Sequence, residues 1–506
     1  MSVPAPGPRD AAPPTRRGAV LAICCVALMM IGVDVTALNV ALPAIQRDLG
    51  SSVAGMQWAV DAYSLSMATL MLLAGSTGDR IGRRRVLRAG LLLFTAASVL
   101  CALAPSMGAL IGFRVLQGIG AAGLGPVSMS IIAHTFTDRA ERTRAMGVWM
   151  GAYGLGLAIG PLVGGLLVAA VGWRAVFWLN LPIGLAALAL AGRYVRESRS
   201  ERPRRSDAVG QLLVITLLGP LTYAVIEAPH TGWTSPVVLA ALALAVASLV
   251  GLVGYEGRRD EPLIELRLFR DVRFSGAIAA GMCVFGAFGG FFFLSALRLQ
   301  NPLGLSALKA GLWMLPPSAV LAVCSLCAAR LAERYGTRPL LVLAGGALAA
   351  SGALAAVLAG DPSALALVAE FVFFGIGIGL ASPLLITAGV SGLPPDRAGL
   401  ASGLFTSCGR SAFSLGVAVL GAILAAGLHG APLHDPAAFA SAARPAWAIV
   451  AACGVVVAVL AAVSTAGGRS LPGGGMAGGA AESAESVAPG AADRRAGRIG
   501  PGKRLG

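Results

Sequence analysis

Long apolar runs alternate with short polar or charged segments along the chain up to about residue 466. Each run has about 20 residues or more, the length that an α-helix needs to cross the hydrocarbon core of a bilayer. The pattern predicts an all-α polytopic membrane protein with fourteen membrane-spanning helices. The predicted helices cover residues 18–43, 57–78, 86–104, 107–133, 144–170, 174–193, 209–228, 235–255, 274–297, 307–331, 338–359, 363–387, 398–427 and 443–466.

The composition agrees with this class. The 506 residues are 56% hydrophobic and only 12% charged, which is too apolar for soluble domains of ordinary composition. The net charge of +15 is divided among short loops and the tail, which indicates a membrane protein and no nucleic-acid partner. Cys324 and Cys327 form C-x-x-C inside a predicted helix without a second ligand pair, so we favour helix packing there over a metal site.

Basic residues are concentrated on one side of the predicted helices. With the N-terminus inside, cytoplasmic segments contain 32 Lys and Arg, and external loops contain five. Because basic residues favour cytoplasmic loops, both termini are predicted to be cytoplasmic. The abundance of Arg, Ala and Gly suggests a GC-rich bacterial genome, so we expect a multi-pass protein of the bacterial inner (plasma) membrane. The five external basic residues are Arg47, Arg174, Arg298, Lys309 and Arg444.

A charged loop between the second and third predicted helices occurs twice in the chain. Gly75–Leu87 reads GSTGDRIGRRRVL, and Glu333, Arg334, Gly336 and Arg338 lie 254 residues after Asp79, Arg80, Gly82 and Arg84. For the first loop alone, a positive-inside anchor is the simpler alternative, but the duplication implies two similar helix bundles. The candidate gate residues are Gly75, Asp79, Arg80, Gly82, Arg83 and Arg84.

The offset between the two loops also divides the chain. It is longer than six helices need, and the surplus accommodates two further helices, which predicts a six plus two plus six arrangement. The predicted regions are a disordered cytoplasmic leader (1–17), an N-terminal six-helix bundle (18–193), basic loops with two linking helices (194–273), a C-terminal six-helix bundle (274–466) and a disordered cytoplasmic tail (467–506).

Four ionisable residues inside predicted helices are candidates for chemistry, because an isolated charge within a membrane helix costs at least ~2.5 to 3.5 kcal/mol. The helical rise places Asp34, Arg114, Asp61 and Glu370 at comparable depth in the outer half of the bilayer. We expect them to line one water-filled cavity that handles protons or substrate. Two alternatives remain open: Asp34 is buried only to pair with an arginine, or Asp61 and Glu370 cap or solvate the ends of their helices.

Small residues form two further patterns. Gly118, Gly120 and Gly123 match G-x-G-x-x-G, but no strand precedes them, so we interpret them as close helix packing and not as a dinucleotide site. The helix over 144–170 contains GLAIGPLVGG, which predicts a tightly packed and bent helix. Its candidate residues are Gly156, Gly160, Pro161, Gly164 and Gly165.

Together these segments resemble a known family. Asp34–Pro43, the duplicated loop, R-x-x-Q-G from Arg114, the glycine motif, WRAVFWLNLPIG at 173–184, EPLIELRLFR at 261–270 and GLASGLFTSCGR at 399–410 are similar to the fourteen-span drug:proton antiporters (EmrB/QacA type) of the major facilitator superfamily. The resemblance implies that the loop latches a cytoplasmic gate. It also implies that Asp34 is the helix-1 acid, Arg114 the proton-coupling arginine and 156–165 the antiporter motif. Ser76 and Thr77 depart from the more apolar family loop.

The second half does not repeat the charged positions of the first. Adding 254 to Asp34, Asp61 and Arg114 reaches only apolar residues. We therefore expect the proton chemistry in the first bundle and an apolar binding surface in the second. The candidate apolar residues are Phe291, Phe292, Phe293, Trp313 and Met314, for which lipid-facing or core packing is the alternative.

The resemblance predicts a proton-coupled exporter of hydrophobic drugs or antibiotics, cationic ones included, that works by alternating access. The alternatives are a dedicated exporter of one endogenous metabolite or self-made antibiotic and a membrane-embedded enzyme. The sequence contains no H-E-x-x-H, G-x-S-x-G or G-x-x-x-x-G-K-[ST] motif. We therefore predict no enzyme, no cofactor and no metal. The expected partners are a small hydrophobic substrate, protons and the lipid bilayer, with the protein a monomer.

Overall fold

A computed structural model describes residues 14–200, 207–259, 264–360, 363–390 and 395–464 of the chain. Fourteen helical segments in these ranges are long and apolar enough to cross a membrane, as the hydrophobic pattern predicts. The first helix begins at Pro14, so the last four residues of the predicted disordered leader are helical. Residues 1–13 of that leader and the predicted tail, 467–506, lie outside the described residues.

The helices are numbered along the chain. The first half contains α1 (Pro14–Leu49), α2 (Val53–Ile81), α3 (Arg83–Ala102), α4 (Met107–Ala122), α5 (Leu124–Thr135), α6 (Arg139–Ala170), α7 (Arg174–Trp178) and α8 (Asn180–Tyr194). Then come α9 (Ala208–Thr231) and α10 (Pro236–Glu256). A 3-10 turn (Leu266–Arg270) precedes α11 (Val272–Gln300), α12 (Ala307–Trp313), α13 (Leu315–Tyr335), α14 (Thr337–Val357), α15 (Ala364–Val390), α16 (Pro395–Leu428) and α17 (Pro436–Ser464). The pairs α4 with α5, α7 with α8 and α12 with α13 each make one span.

Packing groups these helices into two bundles and a connecting hairpin. In the first half α1 packs against α6, α2 against α4, and α3 against α4 and α8. In the second half α11 packs against α16, α13 against α15, and α14 against α17. Helices α9 and α10 pack against each other, and α9 also contacts α2 and α16. The hairpin therefore lies beside the seam between the two bundles.

Glycines end the helices at both copies of the charged loop. Gly82 separates α2 from α3 with φ at 122°, and Gly336 separates α13 from α14 with φ at 83°. Side chains are strained at positive φ, so glycine is the residue that permits both turns. The backbone repeats at the offset found in the sequence.

Close backbone contacts in α6 account for its glycine motif. Gly156 lies against the Met29 carbonyl, Gly160 against Thr36 and Gly164 against Ala37, so an added methyl group would overlap at each position. These contacts bring α6 and α1 together at the distance that small residues permit. Gly118 and Gly120 on α4 lie equally close to Tyr63 and Phe94, which confirms the packing interpretation.

The two bundles meet at the helix ends opposite the charged loops. Gly165 on α6 lies against Ala307, and Gly311 on α12 lies against the Pro161 carbonyl. Gln300 Nε2 at the end of α11 donates to the Val40 carbonyl at 2.9 Å. Gln57 Nε2 near the start of α2 donates to the Ala418 carbonyl of α16 at 2.8 Å. The structure is therefore closed at the end opposite the charged loops.

Candidate proton-coupling and gating sites

Asp34 lies at the centre of a buried polar network built from α1, α4 and α8. Arg114 Nη1 donates to Asp34 Oδ2 at 2.6 Å. Gln117 Nε2 and Asn180 Nδ2 donate to Asp34 Oδ1 at 3.0 and 3.1 Å. The Asp34 and Arg114 side chains are each only 1% exposed. Both carboxylate oxygens are thus bonded, and the structure brings together the acid and the arginine that the sequence predicts.

Further contacts hold Arg114 in place. Its Nε donates to the Ala59 carbonyl of α2 at 3.0 Å, its Nη1 also donates to Gln117 Oε1 at 2.7 Å, and its guanidinium lies 4.2 Å from the Tyr63 ring centroid. A buried arginine needs such partners because unsatisfied charge in a low-dielectric interior is costly. Arg114 therefore links α4 to both α1 and α2.

Gln117 and Asn180 carry no predicted role, although both lie in the sequence motifs around Arg114 and at 173–184. Their amides select one orientation of the Asp34 carboxylate, and Asn180 also donates to Ser98 Oγ at 3.0 Å. The sequence feature that could have identified these two residues is an amide side chain within an otherwise apolar helix, because a buried polar group needs a hydrogen-bond partner. The site is thus a network of four side chains that contains one carboxylate, one guanidinium and two amides.

Asp61 and Glu370 do not join this network. Ser414 Oγ of α16 donates to Asp61 Oδ1 at 2.8 Å, and Asp61 is fully buried, so it neither caps its helix nor faces solvent. Ser52 caps that helix instead. Glu370 Oε2 pairs with Arg298 Nη1 at 2.9 Å, with both side chains at most 2% exposed. The expected clustering of four ionisable groups is therefore wrong, because each acid has a partner of its own.

The Arg298 pair also corrects two expectations about the second half. Arg298 lies inside α11 and is buried, so it is not an external-loop residue. The helix extends past the predicted end at residue 297 as far as Gln300. The second bundle thus contains a buried ion pair of its own, at positions that the 254-residue offset does not relate to Asp34 and Arg114.

The charged loop is held by its own residues and by the segment after α8. Arg83 Nε and Nη2 donate to Asp79 Oδ1 at 3.0 and 2.8 Å. Backbone amides of Arg83 and Arg84 donate to the Ser198 carbonyl and to Glu197 Oε1 at 3.0 and 3.1 Å. Glu197 was not singled out in the sequence. It lies in the basic segment that the sequence treated only as a linker.

The partner of Asp79 differs from the sequence prediction. Asp79 lies at the C-terminal end of a helix, where the helix dipole disfavours an anion, so the sequence predicts a cation or helix N-terminus of the other bundle as its partner. The observed partner is Arg83, four residues along the same chain segment. The physical reason is that Arg83 lies one helical turn from Asp79, so the ion pair forms within the loop without a contact to the other bundle. Of the other candidates, Gly75 contacts Pro126, and Arg80 lies in the last turn of α2.

Two bundles of membrane-spanning helices with a charge network between helices define a secondary-transporter fold. The family model of the Major Facilitator Superfamily matches residues 24–417. The chain belongs to this superfamily.

Several named relatives are drug-resistance proteins. The chain is 39% identical to the multidrug resistance protein Stp of Mycobacterium tuberculosis over 401 residues, 79% of this chain and 74% of that protein. It is 35% identical to the methylenomycin A resistance protein of Streptomyces coelicolor, covering 83% and 88% of the two chains. It is also 35% identical to the multidrug efflux pump LfrA of Mycolicibacterium smegmatis, covering 82% of each chain.

Solved structures share the fold at low sequence identity. An inward-facing, unoccupied bacterial homologue of the human lysosomal transporter Spinster aligns with a TM-score of 0.63 at 18% identity, covering 90% of this chain and 98% of that one. The nucleoside transporter NupG aligns with a TM-score of 0.63 at 13% identity, covering 89% and 99%. These matches confirm the predicted fold class.

Proposed function

We propose that this chain is a proton-coupled antiporter that exports hydrophobic drugs or antibiotics from a bacterial cell by alternating access. The observation that carries the proposal is the buried network around Asp34 and Arg114 in a chain of this superfamily. The relatives named as efflux pumps and resistance proteins support the substrate class and the direction of transport.

The network provides a physical basis for coupling. Burial favours the neutral form of an acid, whereas a nearby guanidinium favours the carboxylate. Protonation of Asp34 removes the charge that Arg114 neutralises and replaces an acceptor oxygen with a donor. A rearrangement of the bundles that changes the access of this network to water would therefore change its proton occupancy. In this proposal, proton uptake and release at Asp34 accompany the change between the two open states.

The membrane topology belongs to the same proposal. The charge asymmetry of the loops supports cytoplasmic termini in the inner membrane, with the charged loops on the cytoplasmic side. The structure would then be closed toward the outside and ready to accept substrate from the cytoplasm. The proposal assigns no catalytic residue and no cofactor, treats the protein as a monomer, and takes the proton gradient as the source of energy.

Transport by the purified full chain in proteoliposomes tests this function. A pH gradient that is acid on the side of the extracellular face should drive a lipophilic dye such as ethidium toward that face. A proton ionophore should abolish this movement. Dye movement that persists after the gradient is collapsed would contradict proton coupling, and movement in the opposite direction would contradict export.

A dedicated exporter is the second candidate. The tetracenomycin C resistance and export protein of Streptomyces glaucescens is 35% identical over 79% of this chain. The name of that relative describes both resistance to one compound and the export of the same compound. Biosynthetic genes beside the gene for this chain would favour a dedicated exporter, and transport of many unrelated dyes would favour a multidrug pump.

A further inference from the structure

Arg410 occupies the middle of α16 and has no role in the proposed mechanism. Its guanidinium lies 5.0 Å from the centroid of the Tyr153 ring on α6. Because α16 and α6 belong to different bundles, the side chain reaches across the space between them. Arg410 is half-buried, in contrast to Arg114 and Arg298.

The guanidinium of Arg410 also lacks the partners that the other two arginines have. Arg114 pairs with Asp34, and Arg298 pairs with Glu370. In the described parts of the chain, Arg410 has neither an acidic partner nor a hydrogen bond. Asp61 accepts a hydrogen bond from Ser414, one helical turn from Arg410 on α16, and forms no ion pair with Arg410. Charged residues within membrane helices are costly and mark ligand pathways, so an arginine available between the bundles indicates a ligand.

A second polar group is available on the same face of α16. Ser407 lies three residues before Arg410, one helical turn away. Ser407 is 9% exposed, and its Oγ has no hydrogen-bond partner among the described residues. A buried hydroxyl without a partner is costly unless a ligand or water completes it. Arg410 and Ser407 thus offer a forked cation and a hydroxyl donor to one acceptor group.

Aromatic side chains lie beside this pair. Phe285 on α11 packs over Gly409 and meets the ring of Phe405 edge to face at 6.3 Å. Phe288 meets Phe413 edge to face at 5.6 Å. These rings fill the contact between α11 and α16 next to Arg410, and Tyr153 adds a ring from the opposite bundle. The surroundings therefore suit a ligand with an aromatic body and an acidic group.

We propose that Arg410, Ser407 and Tyr153 form a binding site for the oxyanion of an aromatic substrate, such as a carboxylate or an acidic phenol. A guanidinium binds a carboxylate through two parallel hydrogen bonds. This inference rests on the proposed export function and names its substrate class, in place of the cationic compounds left open by the sequence. Outward movement of an anion and inward movement of a proton both carry positive charge inward, so an inside-negative potential drives both.

Binding to the purified full chain tests the site. The probes are pyrenebutyrate, its neutral methyl ester and a trimethylammonium analogue, measured by quenching of tryptophan fluorescence. We expect the wild type to bind the carboxylate most tightly. Arg410→Gln should weaken carboxylate binding by about ten-fold or more, as expected for loss of hydrogen bonds to a charged group, and leave ester binding unchanged. Arg410→Lys should restore part of the preference for the carboxylate because it keeps the charge.

Two controls separate a binding role from a structural one. Arg444→Gln changes an exposed arginine on α17 and should bind all three probes like the wild type. Tyr153→Leu removes the ring that Arg410 contacts and should weaken both the carboxylate and the ester. Carboxylate binding that is absent in the wild type, equals that of the cation, or survives in Arg410→Gln would overturn the proposal.

Transport distinguishes this inference from the export function on which it rests. Gradient-driven transport of the cation but not the carboxylate leaves the exporter intact and removes the anion site. Binding of the carboxylate that depends on Arg410, without gradient-driven transport of any probe, supports the site and contradicts proton-coupled export.

Discussion

The two ion pairs that are buried on both sides in the described parts of the chain have the same chemistry and different surroundings. In the first bundle, both oxygens of Asp34 are bonded by side chains from α4 and α8. In the second bundle, Glu370 Oε1 and Arg298 Nε have no partner among the described residues, and Arg298 Nη2 donates to the Leu358 carbonyl at 2.6 Å. Asp34 lies mid-helix, whereas Arg298 lies two residues before the end of α11.

The comparison shows that an acid and an arginine do not define a coupling site by themselves. The Arg298 pair joins the ends of α11, α14 and α15 within one bundle, at the end where the bundles meet. The Asp34 network lies at the middle of α1, which packs on α6 and also reaches α11 of the other bundle. The Glu370 pair ties three helix ends of one bundle together and leaves Glu370 Oε1 and Arg298 Nε without a partner among the described residues, so we interpret it as a structural clasp.

The largest expected effect separates the two acids in transport. Asp34→Asn mimics the protonated acid permanently, so gradient-driven transport should fall to background while the protein still inserts and folds. Glu370→Gln should keep gradient-driven transport in the folded fraction. Proteoliposome assays at equal protein density measure both. Loss of transport in both variants, or in Glu370→Gln alone, would contradict the assignment of the two pairs.

The second prediction concerns stability. Removing one partner of a buried pair leaves an uncompensated charge, so Arg298→Met should destabilise the folded protein by about 3 to 5 kcal/mol. The double variant Arg298→Met with Glu370→Met should recover most of that loss, because apolar replacement of a buried pair is often neutral. Unfolding of purified protein in detergent measures the difference. A double variant as unstable as the single one would count against the clasp.

The third prediction concerns the helix contact that positions Asp34. Gly160 lies against Thr36 of α1, so Gly160→Ala forces the helices apart, and overpacking of this kind costs about 1 to 3 kcal/mol. Gly154→Ala is the matched control on the same helix, because nothing lies within 4 Å of an added methyl group there. Transport and thermal stability should decrease in the first variant only. Equal effects in both would mean that helix propensity, and not the contact, is responsible.

The smallest expected effect belongs to the charged loop. Asp79→Asn removes the negative charge that pairs with Arg83 and should lower the transport rate several-fold, about the effect of one partly exposed ion pair. Glu333→Gln at the equivalent position of the second loop is the matched comparison and should have a weaker effect. Unchanged transport in Asp79→Asn at normal protein levels would show that the loop is only a topological anchor.

The hydrophobic pattern predicts the fourteen spans because crossing a bilayer sets the length of each helix. It places the ends less well, since polar residues continue a helix beyond its apolar part: α1 extends to Leu49 instead of residue 43, and α17 begins at Pro436 instead of 443. One such extension contains Arg298. This explains why the sequence placed the residue in a loop.

Helical rise gives the depth of a residue but not the neighbour that its side chain meets. The argument from depth correctly predicted that Asp34 and Arg114 lie together. The same argument placed Glu370 beside them, although it faces Arg298 within the second bundle. The identity of the neighbour depends on which helices pack together, and one sequence does not contain that information. The prediction for the partner of Asp79 was wrong for a related reason, because the sequence does not show which side chains come within reach of the charged loop.

The most direct test of the account measures protons instead of transport. Purified protein in weakly buffered detergent solution, with a pH indicator, is mixed with saturating substrate. If substrate and proton exclude each other at the Asp34 network, the wild type and Glu370→Gln should release protons on binding, and Asp34→Asn should release none. Proton release that persists in Asp34→Asn, with substrate still bound, would contradict the claim that Asp34 carries the coupling proton.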